Sequence, residues 1–173
     1  MSQFISYMDK AKGVTPYTAH ATTDPYPKEG SCPALQAFGA GITVTVESKV
    51  ALTAAANQMA TNDIIVALPI PPMHVPVDCY IASDDLDTGT AVTLTVAELN
   101  QDFTDIVAST NFITASTVGQ AGGIARASVA DGLRLPPVDR IRWIGIKVAA
   151  GVTGLNANAV LSLTFSYRAA NAD

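Results

Sequence analysis

Charged side chains are scarce in this sequence, and their scarcity indicates what the surface of the protein contacts. Lys, Arg, Asp and Glu make up 14% of the 173 residues, while hydrophobic residues reach 49%. Ordinary soluble domains carry about a quarter charged residues, and a free monomer keeps its exterior charged and free of large apolar patches. The composition therefore favours an exterior covered by other protein; the alternative is a small-residue core beneath a neutral, Thr-covered surface.

Basic clusters and long apolar runs are also missing. The formal net charge is -5, and the basic residues are scattered, which argues against binding to a phosphate backbone. No apolar stretch approaches the about 20 residues that span a bilayer, and residues 1–13 lack the apolar core of a secretory signal. We therefore expect no nucleic-acid partner, no membrane partner and no secretion.

Catalytic and metal-binding patterns are equally absent. Cys32 and Cys79 lie far apart without a CxxC pair, which predicts two free thiols. His20 and His74 are the two histidines, and neither belongs to a nucleophile motif. The glycine-rich segments match neither a P-loop nor a dinucleotide fingerprint. An enzyme and a cofactor are therefore not expected.

An acidic turn at Asp84, Asp85 and Asp87 is the nearest approach to a ligand site. Clustered carboxylates on a turn can bind calcium, but this turn lacks the spacing and the final Glu of an EF-hand loop. The other interpretation is a turn whose Asp side chains accept hydrogen bonds from following backbone N–H groups. We favour the second interpretation and expect no metal.

From residue 42 onwards the pattern is one strand after another. Apolar and polar residues alternate over 42–47, 74–83, 90–99, 140–149 and 159–168, which is typical of strands with one buried face. The run 64–70 is apolar throughout and predicts a strand buried on both faces. About seven or eight strands without βαβ alternation predict an all-β fold, either a β-sandwich or a jelly roll.

Local signals add finer predictions. Pro76 implies an edge position or a bulge in its strand. Segment 74–83 with 90–99, and segment 140–149 with 159–168, resemble hairpins. Residues 140–149 are predicted to be a central strand. Residues 109–119 are predicted to form a short helix or turn, and a short strand is expected around 124–129.

The first 35 residues lack periodicity and are interrupted by Pro16, Pro25, Pro27, Gly30 and Pro33. They predict an extended arm, 1–35, in front of a β-sandwich or jelly-roll body, 36–173.

Aromatic residues supply the interface candidates. Tyr7, Tyr17 and Tyr26 lie in the arm, where each ring has no core to fill and is suited to contact a partner. Trp143, flanked by Arg140 and Arg142, is open to two interpretations, because Trp beside Arg is enriched at interfaces whereas Trp in an Ile-rich strand commonly fills a core.

Several strings resemble small virion proteins of tailed-phage head modules, the capsid decoration or cement class. They are D63-I-I-V-A-L-P-I-P-P72, P76-V-D-C-Y-I-A-S-D-D-L-D-T-G89, T-A-S-T-V-G-Q-A-G-G123 and R140-I-R-W-I-G-I-K-V. The resemblance covers about residues 60–168. It implies a protein made in the host cytoplasm that sits on the outer capsid face, binds the major capsid protein and stabilises the expanded shell.

The sequence thus predicts a capsid decoration protein that forms a homo-oligomer, either a dimer or a trimer. A receptor- or glycan-binding module of a tail or head fibre is the alternative, and an exposed aromatic and polar cleft would favour it. A jelly roll that assembles a shell alone and an enzyme are the remaining candidates.

Overall fold

The computed structural model describes residues 3–5, 42–52 and 59–170, and these form two β-sheets around one core. One sheet has the strand order β1-β3-β8-β5-β6 and the other the order β2-β9-β4-β7. The strands are β1 (Gln3–Ile5), β2 (Thr43–Ala51), β3 (Ile64–Ile70), β4 (His74–Ser83), β5 (Thr93–Glu98), β6 (Ile113–Ser116), β7 (Gly123–Arg126), β8 (Arg142–Ala150) and β9 (Val160–Ala169). The all-β prediction is confirmed.

Period-two alternation determines which side chains enter the core. In β9 the residues Leu161, Leu163, Phe165 and Tyr167 are all at most 1% exposed, and they pack in one cluster with side chains from the five-stranded sheet. In β8 the inward series Ile144, Ile146 and Val148 is buried likewise. Strand β8 lies between β3 and β5, as predicted for a central strand.

Strand β3 is buried along its whole length, as its apolar sequence predicts. One face joins the main core, and the other joins a smaller cluster of Ile64, Val66, Leu99 and Phe103. The loop after β5 closes over the sheet here, and Gly145 permits the approach: a Cβ at Gly145 would lie 2.6 Å from Leu99 Cδ2 and 2.8 Å from the Ile65 carbonyl oxygen.

The two predicted hairpins are wrong. Strand β4 lies in the four-stranded sheet and β5 in the five-stranded sheet, and β8 and β9 are divided in the same way. Residues 84–92 and 151–159 are therefore crossings between the sheets. Alternation fixes which face of a strand is buried but carries no information about the neighbouring strand.

The predicted bulge near Pro76 is confirmed. The β4–β9 register shifts between Pro76 and Asp78, while β7 pairs only with Tyr80–Ser83. The Pro76 end of β4 therefore has one neighbouring strand in the described sheet, so proline removes no ladder hydrogen bond on the open side.

Residues 104–120 contain short turns and a strand. The 3₁₀ turns Ala108–Thr110 and Val118–Gln120 flank β6, which pairs with β5. Thr and Ser favour such irregular structure over a continuous helix. The short strand expected around 124–129 is present as β7, and the described α-helix, α1, spans only Ala130–Leu133.

The N-terminal segment contributes one described element. Strand β1 runs parallel to β3, with Gln3 opposite Ile64 and Ile5 opposite Val66. The remainder of the predicted arm, with Tyr7, Tyr17 and Tyr26, lies outside the described residues, as do His20 and Cys32.

Candidate functional site

The acidic turn after β4 joins the two crossings between the sheets. Asp87 is 1% exposed, and its carboxylate accepts five backbone hydrogen bonds. Oδ1 accepts from the N–H groups of Gly89 at 3.1 Å, Thr153 at 2.8 Å and Gly154 at 3.1 Å, and Oδ2 accepts from those of Ala91 at 2.9 Å and Val92 at 3.1 Å. One side chain therefore binds residues 84–92 to residues 151–159.

These hydrogen bonds determine the protonation state of the Asp87 carboxyl group. Burial alone would raise the pKa of the Asp87 carboxyl, but the N–H groups of Gly154, Ala91, Gly89 and Thr153 outweigh burial and lower the pKa from 3.8 to about 2. Backbone donors stabilise the carboxylate and not the neutral acid. The group is therefore ionised at neutral pH.

The other two carboxylates of the turn also accept backbone hydrogen bonds. Asp84 Oδ2 accepts from the Val160 N–H at 2.8 Å, and Asp85 Oδ1 accepts from the Asp87 N–H at 3.2 Å. These are the contacts that the turn interpretation requires. Across residues 42–52 and 59–170, no group of three or more His, Cys, Asp and Glu side chains is arranged to hold a metal ion.

His74 and Cys79 are packing residues of β4. His74 is 5% exposed, its Nδ1 lies 2.8 Å from the Pro72 carbonyl oxygen, and its ring meets Tyr167 edge to face at 5.4 Å. The Cys79 thiol is free and buried. Its burial, with a smaller contribution from Asp78, raises its pKa far above the usual range. A thiol held neutral in this way is a poor nucleophile.

Trp143 belongs to the smaller cluster on the outer side of the five-stranded sheet. Its ring meets Phe103 edge to face at 5.6 Å, and it packs against the buried residues of that cluster. The side chain is only partly buried. The position therefore combines packing with partial exposure to solvent.

An ionic cluster lies where β5 ends and β8 begins, and sequence reasoning missed it. Glu98 and Arg142 are each 3% exposed. Glu98 Oε1 accepts a hydrogen bond from Arg140 Nη2 at 2.6 Å, while Glu98 Oε2 lies 3.6 Å from Arg142 Nε. Arg142 Nη2 donates to the Pro136 carbonyl oxygen. The available signal was one charge of each sign at the positions that continue the apolar inward series of each strand, Glu98 after Leu94 and Val96 and Arg142 before Ile144.

The outward side of the four-stranded sheet carries many small and hydroxyl side chains; we call it the four-stranded face. At its centre Ser162 and Thr164 are only 7% exposed, and Thr45 Oγ1 and Ser166 Oγ share a hydrogen bond of 2.8 Å. The members are Thr43, Thr45, Glu47, Lys49 and Ala51 on β2, Val160, Ser162, Thr164, Ser166 and Arg168 on β9, Asp78, Tyr80 and Ala82 on β4, and Ile124 and Arg126 on β7.

Charges at the two margins of the four-stranded face are paired within it. Lys49 Nζ lies 3.3 Å from Glu47 Oε1, and Arg126 Nη2 lies 3.7 Å from Asp78 Oδ2. Ile124 is 69% exposed beside them. The result is a nearly neutral, β-structured surface of small side chains, which is suited to cover another protein rather than to bind a charged ligand.

Comparisons with known proteins show what the chain is similar to. No protein-family model matches the chain, and no curated protein matches it. A chain of the capsid of Ralstonia phage GP4 matches with a TM-score of 0.72 and 28% identity, covering 99% of this chain and 100% of that one. The chain is similar in structure to this phage capsid protein. A chain of the cyanophage Pam1 capsid asymmetric unit matches with a TM-score of 0.59 and 25% identity, covering 85% of this chain and 96% of that one.

These neighbours support a virion structural role and association with a phage capsid shell. They favour a non-enzymatic protein, which fits the packing roles of His74 and Cys79 in the described core. No helix in the described part of the chain is both long enough and apolar enough to cross a membrane.

Proposed function

We propose that the chain is a capsid decoration protein, which binds the outer surface of the major capsid protein shell and stabilises it. The observation that carries the proposal is the match to the GP4 capsid chain over 99% of this chain and 100% of that one. The two chains therefore match over almost their entire lengths. Both neighbours come from capsids, which favours decoration over a tail or fibre module.

The mechanism is the burial of surface on neighbouring subunits. A standard protein interface buries roughly 1,600 Å², and its core is depleted of charge. The four-stranded face fits this chemistry, because four of its five charged residues form the two ion pairs Glu47–Lys49 and Asp78–Arg126, Arg168 is the fifth, and most of its other side chains are small and uncharged. Repeated over a shell, such contacts link subunits without any catalytic group.

The arm, residues 1–35, supplies the second contact in this proposal. Tyr7, Tyr17 and Tyr26 lie across a neighbouring subunit, where each ring buries apolar area and each hydroxyl finds a partner. Ordering an arm costs conformational entropy, which the covered area offsets.

The role of the arm in capsid binding can be tested with capsids that lack this protein. Purified wild-type chain is added, and occupancy is counted by electron cryo-microscopy. A Tyr7→Ala, Tyr17→Ala, Tyr26→Ala triple variant should lose most of its occupancy while its thermal unfolding is unchanged. Deleting residues 1–30 should do the same, but it also removes β1, so the triple variant is the cleaner comparison. Full occupancy by the triple variant would refute the role of the arm.

The same capsids test the docking face. Ile124→Glu places a charge on the exposed margin of the four-stranded face and should reduce occupancy at least about tenfold, equivalent to about 1.4 kcal/mol. Met73→Glu is the matched control, because Met73 is 51% exposed in the turn between β3 and β4. Equal occupancy of the two variants would show that docking uses another surface.

A further inference from the structure

The guanidinium of Arg142 is buried with most of its hydrogen-bonding capacity unused. Its side chain is 3% exposed, and Nη2 donates to the Pro136 carbonyl oxygen. Nε and Nη1 are also buried, and no described residue accepts a hydrogen bond from either. A guanidinium carries five N–H donors, and buried polar groups normally have partners. The N–H groups of Arg142 therefore need an acceptor that the described side chains do not supply.

The charge of the same cluster is incompletely balanced. Glu98 is shared between two guanidiniums: its Oε1 lies 2.6 Å from Arg140 Nη2, and its Oε2 lies 3.6 Å from Arg142 Nε. The second distance is too long for a hydrogen bond. Within the described ranges, neither arginine is paired with a second carboxylate. Two cations and one anion leave one positive charge, and Arg142 carries it in the interior because the Arg140 side chain is 49% exposed.

The protonation equilibrium of Arg142 agrees with this imbalance. Burial lowers the pKa of its guanidinium; Glu98 raises the pKa and Arg140 lowers it further, and the result stays below the usual value. An arginine nevertheless remains protonated at neutral pH. The buried cation therefore gains from a further negative charge beside it.

We propose that Arg142 binds a small monovalent anion, chloride or an ion of similar size, through Nη1. An anion supplies both an acceptor for the N–H groups and the missing negative charge. The burial of Arg142 restricts the size of the ligand, because a phosphate group or a partner's side chain would have to displace the chain around Pro136. A water molecule would accept a hydrogen bond but would leave the charge unbalanced.

The anion site goes beyond the decoration function and does not depend on it. An anion that binds only the folded chain stabilises that chain by mass action. The site is measurable on purified protein without a capsid, and its failure would leave capsid binding open.

Anomalous scattering from bromide provides the direct test. Crystals of the full-length protein soaked in sodium bromide should show an anomalous peak within hydrogen-bonding distance of Arg142 Nη1. Density at that position without an anomalous signal would identify a water molecule and overturn the proposal. An empty position would overturn it as well.

Thermal unfolding tests the site in solution, with chloride replacing gluconate at constant ionic strength. The wild-type midpoint should rise with chloride by at least about 2 °C more than that of Arg142→Met. This variant removes the N–H donors and keeps the pair of Glu98 with Arg140, so it is expected to fold.

Arg134→Met is the matched control, since it removes an exposed arginine two residues before Pro136. It should show the same rise with chloride as the wild type. An equal response of wild type and Arg142→Met would overturn the proposal, and so would loss of the response in Arg134→Met alone. If Arg142→Met does not fold, the bromide experiment on the wild type still decides.

Discussion

At the scale of single residues, the Asp87 carboxylate joins the two crossings between the sheets. It accepts five backbone N–H groups from two loops. Asp87→Ala should lower the free energy of unfolding by at least about 3 kcal/mol, because five backbone donors, one in a buried hydrogen bond and four in partly buried ones, lose their partner at once. Chemical denaturation measures the loss. Asp85→Asn is the control, since Asp85 is exposed and accepts one bond, and it should change stability by less than about 0.5 kcal/mol.

The same carboxylate predicts an acid dependence. The pKa of Asp87 is lowered from 3.8 to about 2, so its contribution is complete above pH 3.8 and is lost as the pH falls towards 2. The contribution amounts to about 2 kcal/mol. Wild type should therefore lose more stability than Asp87→Ala between pH 5 and pH 2.5. Parallel losses in the two proteins would show that Asp87 does not carry this dependence.

At the scale of elements, the Glu98 cluster joins the end of β5 to the start of β8. Glu98→Gln removes the carboxylate and leaves the buried Arg142 guanidinium without its counter-charge, so the free energy of unfolding should fall by about 3–5 kcal/mol. Arg140→Gln should cost less than about 1 kcal/mol, because the Arg140 side chain is 49% exposed and solvent screens it. Equal losses in the two variants, measured by urea denaturation, would contradict this division.

The elements also show how far the sequence could predict the fold. The inward residues of β8 and β9, the fully buried β3 and the bulge at Pro76 all follow from local pattern. The pairing of strands into sheets does not follow from local pattern, because the sequences of residues 84–92 and 151–159 are typical of hairpin turns. What makes them crossings is the hydrogen bonding of Asp87 to Thr153 and Gly154, a contact between positions 66 and 67 residues apart.

The candidate sites, like the fold, were predictable from the sequence only in part. Composition indicated a neutral docking surface, but only the sheet register assembles Thr45, Ser166 and Ala82 on one face. The ion pair of Glu98 with Arg142 joins residues 44 positions apart, and neither strand predicts it alone. The arm tyrosines remain predictions from sequence.

At the scale of the whole molecule, low charge, a neutral sheet face and the capsid neighbours point to the same role. Charged residues form 14% of the chain, and those at the margins of the four-stranded face are paired with each other. A surface of this kind is stable when it is covered. The proposed decoration of a shell would cover this face on every copy of the chain, and it requires no catalytic group.

Electron cryo-microscopy of the virion whose genome encodes this chain tests the central claim most directly. The account predicts density that fits the two sheets, lies outside the shell and contacts the major capsid protein through the four-stranded face. Density inside the shell or in the tail, or a particle without this chain, would contradict it.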